Sequence, residues 1–275
     1  MPEIGYGSDA FVRASQIDAA CRALVGSGPG MAWRRMRAGS LELASYHRQL
    51  PSIEIPLTYS PAGRAIRQHL SIREHGRRRY GRAQGVLSLP EDPADYLRGR
   101  RRQAIRTNLG HAARAGLETY SCSIDNWAPG SDDIRSGHLT PAPAERWMVL
   151  DAEGAIVADS IVSIDAEVAL LQGLVLVTAE AKNYSRWLLH TAIVERLCGE
   201  CRILLTNSED SYRLSAGAQH FQRLLGYEVM SLRLTRARGP SPLAARPDPA
   251  ALAWPPGQLS WRSASSTITP AGPRR

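Results

Sequence analysis

The chain has 275 residues, 43% of them apolar and 22% charged, the make-up of a soluble globular protein with one large domain or two small ones. No apolar run approaches the ~20 residues that a membrane span needs, which excludes a helical membrane protein. The formal charge is +8 and the isoelectric point about 9.7, and Lys182 is the only lysine among 34 Lys and Arg residues.

In chain order, Ser8 and Asp9 cap a predicted helix over about residues 9–25, which "GSGPG" (26–30) ends. Strand-like runs follow at 31–37, 41–47 and 53–59, then a helical stretch at 62–73. "REHGRRRYGR" (73–82) reads as a basic turn region and "GVLSL" (85–89) as a strand. Asp92 as cap and Pro93 at the first helical position start a helix predicted to run from 93 to Gly116. Gly99 and Gly110 weaken that helix by about 1 kcal/mol each relative to alanine, so a bend or break is expected at either.

"LETYSCSI" (117–124) alternates like a strand, and a Pro-, Gly- and Asp-rich connection occupies 126–144. Runs at 146–151, 155–165 and 167–178 are separated by turns short enough for a meander of antiparallel hairpins. Next come a helix (183–198), a strand (202–207), a helix (about 213–225) and a strand (227–237). Residues 239–275 read as an irregular tail rich in Pro, Ser and Ala. "CGEC", at Cys198 and Cys201, lacks the second ligand pair a zinc site needs and closes a helix rather than opening one, so it reads as structural and no metal site is expected. The N-terminus has no basic-then-apolar signal pattern, which gives the expectation of a cytoplasmic protein with no membrane partner.

From residue 117 the order of elements resembles the GNAT acyltransferase fold. "HFQRLLGYEVMSLRL" is similar to its closing pattern, with Phe221, Gly226 and Tyr227, and "VLDAEGAIVADSIVSI" to its central hairpin. "YLRGRRRQAIRTNLGHAARAGLETYSC" further resembles the segment that leads into the second GNAT-like half of Fem-type transferases, which take amino acids from aminoacyl-tRNA. The resemblance implies an α/β (α+β) fold with a mixed, mostly antiparallel sheet flanked by helices. It also implies three segments: a reduced N-terminal half of a degenerate tandem at 1–91, a GNAT-like acyltransferase domain at 92–238, and the tail at 239–275.

Acetyl-CoA-dependent members of the GNAT superfamily hold the pyrophosphate on a glycine-rich loop after the fourth strand, where the backbone can approach the phosphate closely. "TAEAKNYSRW" stands in the matching place and has no glycine, yet Asn183 can cap the next helix and Lys182 and Arg186 lie in or beside its first turn. A cation there opposes the helix dipole by a few tenths of a kcal/mol, which a bound anion would offset. The expected donor contacts are Gln172, Gly173, Lys182, Asn183, Arg186 and Asn207, with Gln172 and Gly173 marking a bulge. The expected catalytic groups follow the fifth strand: Glu209 or Asp210 to take the amine proton, and Tyr212 to donate to the leaving atom. His190 reads as a packed or surface histidine.

Arg98, Arg102 and Arg106 are spaced for one helical face, with Arg101 beside it, and Arg77, Arg78 and Arg79 add a second basic cluster. Preference for arginine over lysine fits a GC-rich genome, whereas the net excess of positive charge fits a polyanionic partner. Together these features point to an enzyme that forms an amide from aminoacyl-tRNA and an amine, with tRNA as partner and no separate cofactor. Acyl-CoA as donor and a non-catalytic RNA-binding module are the alternatives.

Overall fold

A computed structural model describes residues 6–23, 29–74, 77–80, 83–127, 142–177, 184–206 and 210–237. The expected tail at 239–275 lies outside them. The helices are α1 (Asp9–Ala23), α2 (Pro29–Gln49), α3 (Pro61–His69), α4 (Pro93–Tyr96), α5 (Gln103–Arg114), α6 (Tyr184–Leu197) and α7 (Ala216–Leu225). The strands are β1 (Ser52–Leu57), β2 (Ser71–Glu74), β3 (Arg77–Tyr80), β4 (Gln84–Ser88), β5 (Glu118–Trp127), β6 (Ala142–Leu150), β7 (Ile156–Asp165), β8 (Val168–Leu176), β9 (Ile203–Leu205) and β10 (Glu228–Arg236). No helix among the described residues is long and apolar enough to cross a membrane.

Eight strands form one sheet in the order β1-β10-β4-β9-β8-β7-β6-β5, and β2 pairs with β3 as a separate hairpin. Only β1–β10 and β8–β9 are parallel neighbours, so the sheet is mixed and mostly antiparallel, flanked by helices as expected. Residue 91 falls between β4 and α4, and the sheet draws strands from both sides of it. The meander β6-β7-β8, the helix α6 and the parallel strand β9 follow one another in the order expected from the sequence.

One core cluster gathers Ile105 of α5, Val149 of β6, Leu189 and Ile193 of α6, Leu204 of β9 and Leu225 of α7. A second gathers Leu57 of β1, Ile66 of α3, Val86 of β4, Leu170 of β8 and Leu205 of β9. Successive strand residues point to opposite faces, so Leu204 and Leu205 place the two clusters on opposite sides of the sheet. Burial on both faces explains the continuous apolar run at the start of β8, where Val168, Ala169, Leu170 and Leu171 are all buried. A third cluster packs α1 and α2 against the turn at Ser211–Arg213, through Phe11, Tyr46 and Tyr212. Gly39 lets α2 approach α1, since a β-carbon there would overlap Cys21 Sγ.

Three expectations are corrected and a fourth is borne out. Residues 31–37 and 41–47 are not strands but parts of α2. They hold Met, Ala, Arg, Leu and Glu, which favour helix, and no Val or Ile, and Pro29 opens the helix at its first position. The helix expected over 93–115 breaks at Gly99, one of its two expected weak points, into α4, a 3₁₀ turn at Arg100–Arg102 and α5. Gly99 makes the division at φ 89°, a conformation that side chains with a β-carbon rarely adopt. The helical stretch expected over 62–73 ends at His69, and Ser71–Glu74 pairs with Arg77–Tyr80 as the β2–β3 hairpin, so the basic region at 73–82 is not a turn alone. The helix expected from about 213 starts at Ala216, where the Ser215 hydroxyl accepts the Ala218 N–H.

Candidate active site

The parallel pair β8–β9 runs only from Val168–Ile203 to Leu170–Leu205. Beyond it β9 ends, while β8 continues to Leu176 paired with β7 alone. Among the described residues, no strand pairs with that edge of β8 beyond Leu170. In β8 itself the register with β7 slips between Asp159–Val175 and Ile161–Gln172, the bulge expected at Gln172 and Gly173. Gly173 sits at φ 60°, the left-handed conformation that favours glycine at such a bulge. The Gln172 carbonyl accepts the Ser160 hydroxyl at 3.0 Å. The buried Gln172 Nε2 has no hydrogen-bond partner among the described residues.

A cavity of about 590 Å³ lies at this bulge, lined by His69, Asp159, Ser160, Gln172 and Gly173. Val175 and Val177 line it too, exposed by 54% and 51%, so one wall is apolar. Asp159 is held by a bidentate pair with Arg146, with Nη2–Oδ2 at 2.6 Å. His69 is half-buried and makes no hydrogen bond among the described residues. Burial lowers its imidazole to about 4, so it is neutral near pH 7, with one ring nitrogen free to accept a proton or hydrogen bond.

The position of His69 is fixed from the other end of α3. Asp165, 4% exposed, accepts the Thr58 N–H at 2.6 Å and the hydroxyls of Thr58 and Ser60 at 2.5 and 2.7 Å. Ser60 in turn accepts the Gly63 N–H at 2.9 Å and Pro61 opens the helix. Gly63 is required, because a β-carbon would overlap Asp165 Oδ2 and the Thr58 carbonyl. The last strand pair of the β7–β8 hairpin is thereby tied to the start of the helix that ends in His69. No sequence signal singles out His69, a lone histidine at the end of an ordinary helix.

Of the residues expected to be catalytic, Asp210 and Tyr212 are described, and neither lines this cavity. Asp210 is fully buried; its Oδ1 accepts the Ala83 N–H at 2.8 Å and its Oδ2 the Tyr212 hydroxyl at 2.8 Å. The single phenolic proton of Tyr212 is thus given to Asp210, so His47 Nε2, 3.2 Å from the same oxygen, must be the donor there. Burial and then the nearby Asp210 push the Tyr212 phenol well above its usual range, which opposes loss of that proton. Arg213 pairs with Asp18 of α1 at 2.7 Å, and Ser15 donates to the Tyr212 carbonyl at 2.8 Å. Asp210–Arg213 is therefore a buried clamp that fastens α1 and α2 to the sheet.

Glu209 and Asn207, and likewise Lys182 and Asn183, lie outside the described residues. Arg186 is in the first turn of α6 with its guanidinium 5.0 Å from the Phe221 ring. Arg77, Arg78 and Arg79 form β3, opposite Glu74, Arg73 and Ile72. Arg98 pairs with Asp95 on the surface. Arg102 lies 4.7 Å over the Tyr96 ring and donates to the Leu225 carbonyl, while Arg106 donates to the carbonyls of Leu97 and Gly99. With the helix divided at Gly99, the three arginines do not form one continuous helical face. Arg101 is exposed.

His190 is packed, as expected of it, at 1% exposure, with Nε2 3.0 Å from the Tyr227 hydroxyl and Nδ1 3.4 Å from that of Tyr96. Burial, and then the charge of Arg102, lower its imidazole to about 3. Burial likewise raises the thiols of Cys198 and Cys201, to about 11 and about 12, so both stay protonated near pH 7.

No family model and no curated protein matches the chain. Among solved structures, it is similar to the C-terminal domain of a candidate lysylphosphatidylglycerol synthetase from Agrobacterium fabrum, at 13% identity and a TM-score of 0.38, over 54% of this chain and 58% of that one. L-PGS from Bacillus licheniformis matches at 13% identity and a TM-score of 0.36, over 59% of this chain and 62% of that one. A tandem GNAT protein from the clavulanic acid biosynthesis pathway matches at 15% identity and a TM-score of 0.32, over 72% and 68%. The chain thus spans about three fifths of the first two of these proteins.

Proposed function

We propose that the chain is an acyltransferase that forms an amide bond, moving an aminoacyl group from aminoacyl-tRNA to an amine. The observation that carries this reading is the parting of β8 from β9 beyond Leu170 and Leu205, beside the bulge at Gly173. A parted strand pair leaves backbone donors along one edge of β8, where a reacting carbonyl can be held and its developing oxyanion stabilised. The cavity on the other side of the bulge takes the amine. Its nitrogen attacks the ester carbonyl, the C–N bond forms, and the ester C–O bond breaks to release the tRNA hydroxyl. The neutral His69 accepts a hydrogen bond from the amine and orients it, and the proton lost by the amine passes to Glu209 and from there to the leaving oxygen. Asp210 and Tyr212 hold α1 and α2 in place instead of meeting the substrate.

The tRNA donor is supported by the net charge of +8 and by the glycine-free segment before α6. A second reading, acyl-CoA as donor, is favoured by the same free edge of β8, which can pair with the amides of an extended pantetheine arm. Incubation with labelled acetyl-CoA and, separately, with charged tRNAs plus an amine distinguishes them. Amide formation that depends on charged tRNA and is abolished by RNase pretreatment is the expected result. RNase-insensitive transfer from acetyl-CoA removes the tRNA reading.

A further inference from the structure

A second cavity, of about 720 Å³, is lined by Arg101, Arg102 and Arg223 together with Tyr6, Tyr227 and Glu228. Three guanidinium groups thus face one space in which Glu228 is the only carboxylate among the lining residues. Arg102 is braced by the Leu225 carbonyl and the Tyr96 ring, and its guanidinium occupies the place a β-carbon on Gly226 would take. Gly226 closes α7 at φ 84°, so the helix end and the arginine are shaped for each other. Arg101 makes no ion pair or hydrogen bond among the described residues, and the contact of Arg223 there is with His220 Nδ1, at 3.1 Å. One fixed and two exposed cations around a cavity form a receptor for an anion with several oxygens, to which guanidinium groups bind in pairs.

The position of the cavity relates it to the opening. Leu170, Leu205, Val86 and Glu228 are successive partners across β8, β9, β4 and β10. Three strand spacings separate the first from the last, about 14 Å. The cavity therefore adjoins the level of the last β8–β9 pair, from which the opening extends along β8 toward Leu176, and one extended ligand can reach both.

We infer that this arginine cavity binds backbone phosphates of the RNA whose acyl end lies at the β8–β9 opening. The inference rests on the aminoacyl-tRNA reading. Its test uses the full chain and uncharged tRNA, with the dissociation constant measured over a range of salt. Arg101→Glu with Arg223→Glu changes only exposed side chains. Arg202→Glu with Arg233→Glu makes the same change of charge at exposed positions that do not line the cavity. The cavity pair is expected to weaken binding by about 10-fold or more and to lower the slope of log K against log salt by about one to two, with a smaller effect from the control pair. Binding that is unchanged in the cavity pair, or weakened equally in both, overturns the inference and leaves the donor reading standing. Failure of the wild-type chain to bind tRNA overturns both.

Discussion

Two polar regions stand near the ends of the central strands, and they differ in where their hydrogen bonds go. Around Asp210 every described contact turns inward: Ala83, Tyr212, His47, Ser15 and the Arg213–Asp18 pair close on one another beneath α1 and α2. Around Gly173 the pattern is the reverse. Among the described residues neither His69 nor Gln172 Nε2 has a hydrogen-bond partner, and valines line part of the remaining wall. A buried polar group with all its bonds made holds structure, because any change leaves a partner unsatisfied. A polar group with bonding capacity left over, facing a cavity, is available to a ligand.

Mutations should separate the two regions. The largest loss of stability is expected from Arg213→Met, which removes the buried Arg213–Asp18 pair and costs about 3–5 kcal/mol. Chemical unfolding should show this as a lower midpoint with an unchanged slope. A loss below 1 kcal/mol would mean that the clamp does not hold the helices. Gly173→Val should act on the opposite property. A β-branched residue is strained at φ 60° by roughly 1–2 kcal/mol, and relief of the bulge would close the cavity. Transfer activity is expected to fall by about 100-fold or more, a larger change than the modest stability loss accounts for. Near-normal turnover would detach the bulge from the chemistry.

How far the sequence disclosed these regions depended on the kind of signal. The meander was legible because alternation and short turns are local, and the bulge because an isolated glycine interrupts an apolar strand. The division of the Arg-rich helix at Gly99 was foreseen as one of two weak points, yet its consequence was not: Arg102 and Arg106 turn to carbonyls made available by the break. Strands were expected within 31–47 because short apolar runs fit either period, and α2 formed where packing against α1 was available. The serine- and acid-rich segment after β9 suggested catalysis, but whether Asp210 meets solvent depends on α1 and α2, nearly 200 residues earlier. His69 was invisible for the same reason, since its cavity is assembled from β7 and β8.

The smallest expected effect is on pH dependence. Both His190 and His69 have folded values below the ordinary 6.5, about 3 and about 4. The unfolded chain therefore binds more protons than the folded one between those values and 6.5. The stability these groups contribute is complete above pH 6.5 and is lost as the pH falls toward 3, by at most about 1.4 kcal/mol per pH unit for each site. His190→Gln, which keeps a polar group between Tyr96 and Tyr227 without titrating, should flatten the fall in melting temperature between pH 6.5 and 4.5. An equally steep fall in the variant would place the acid sensitivity elsewhere.

The central claim, that acyl transfer takes place where β8 leaves β9, is tested most directly by comparing His69→Gln with Tyr212→Phe in the charged-tRNA and amine assay. The account predicts that His69→Gln lowers kcat/KM by about 100-fold or more at an unchanged melting temperature, whereas Tyr212→Phe lowers the melting temperature and leaves the rate per folded molecule close to wild type. The opposite pattern, with His69→Gln fully active and Tyr212→Phe folded but inactive, would move the chemistry to the buried clamp and contradict the account.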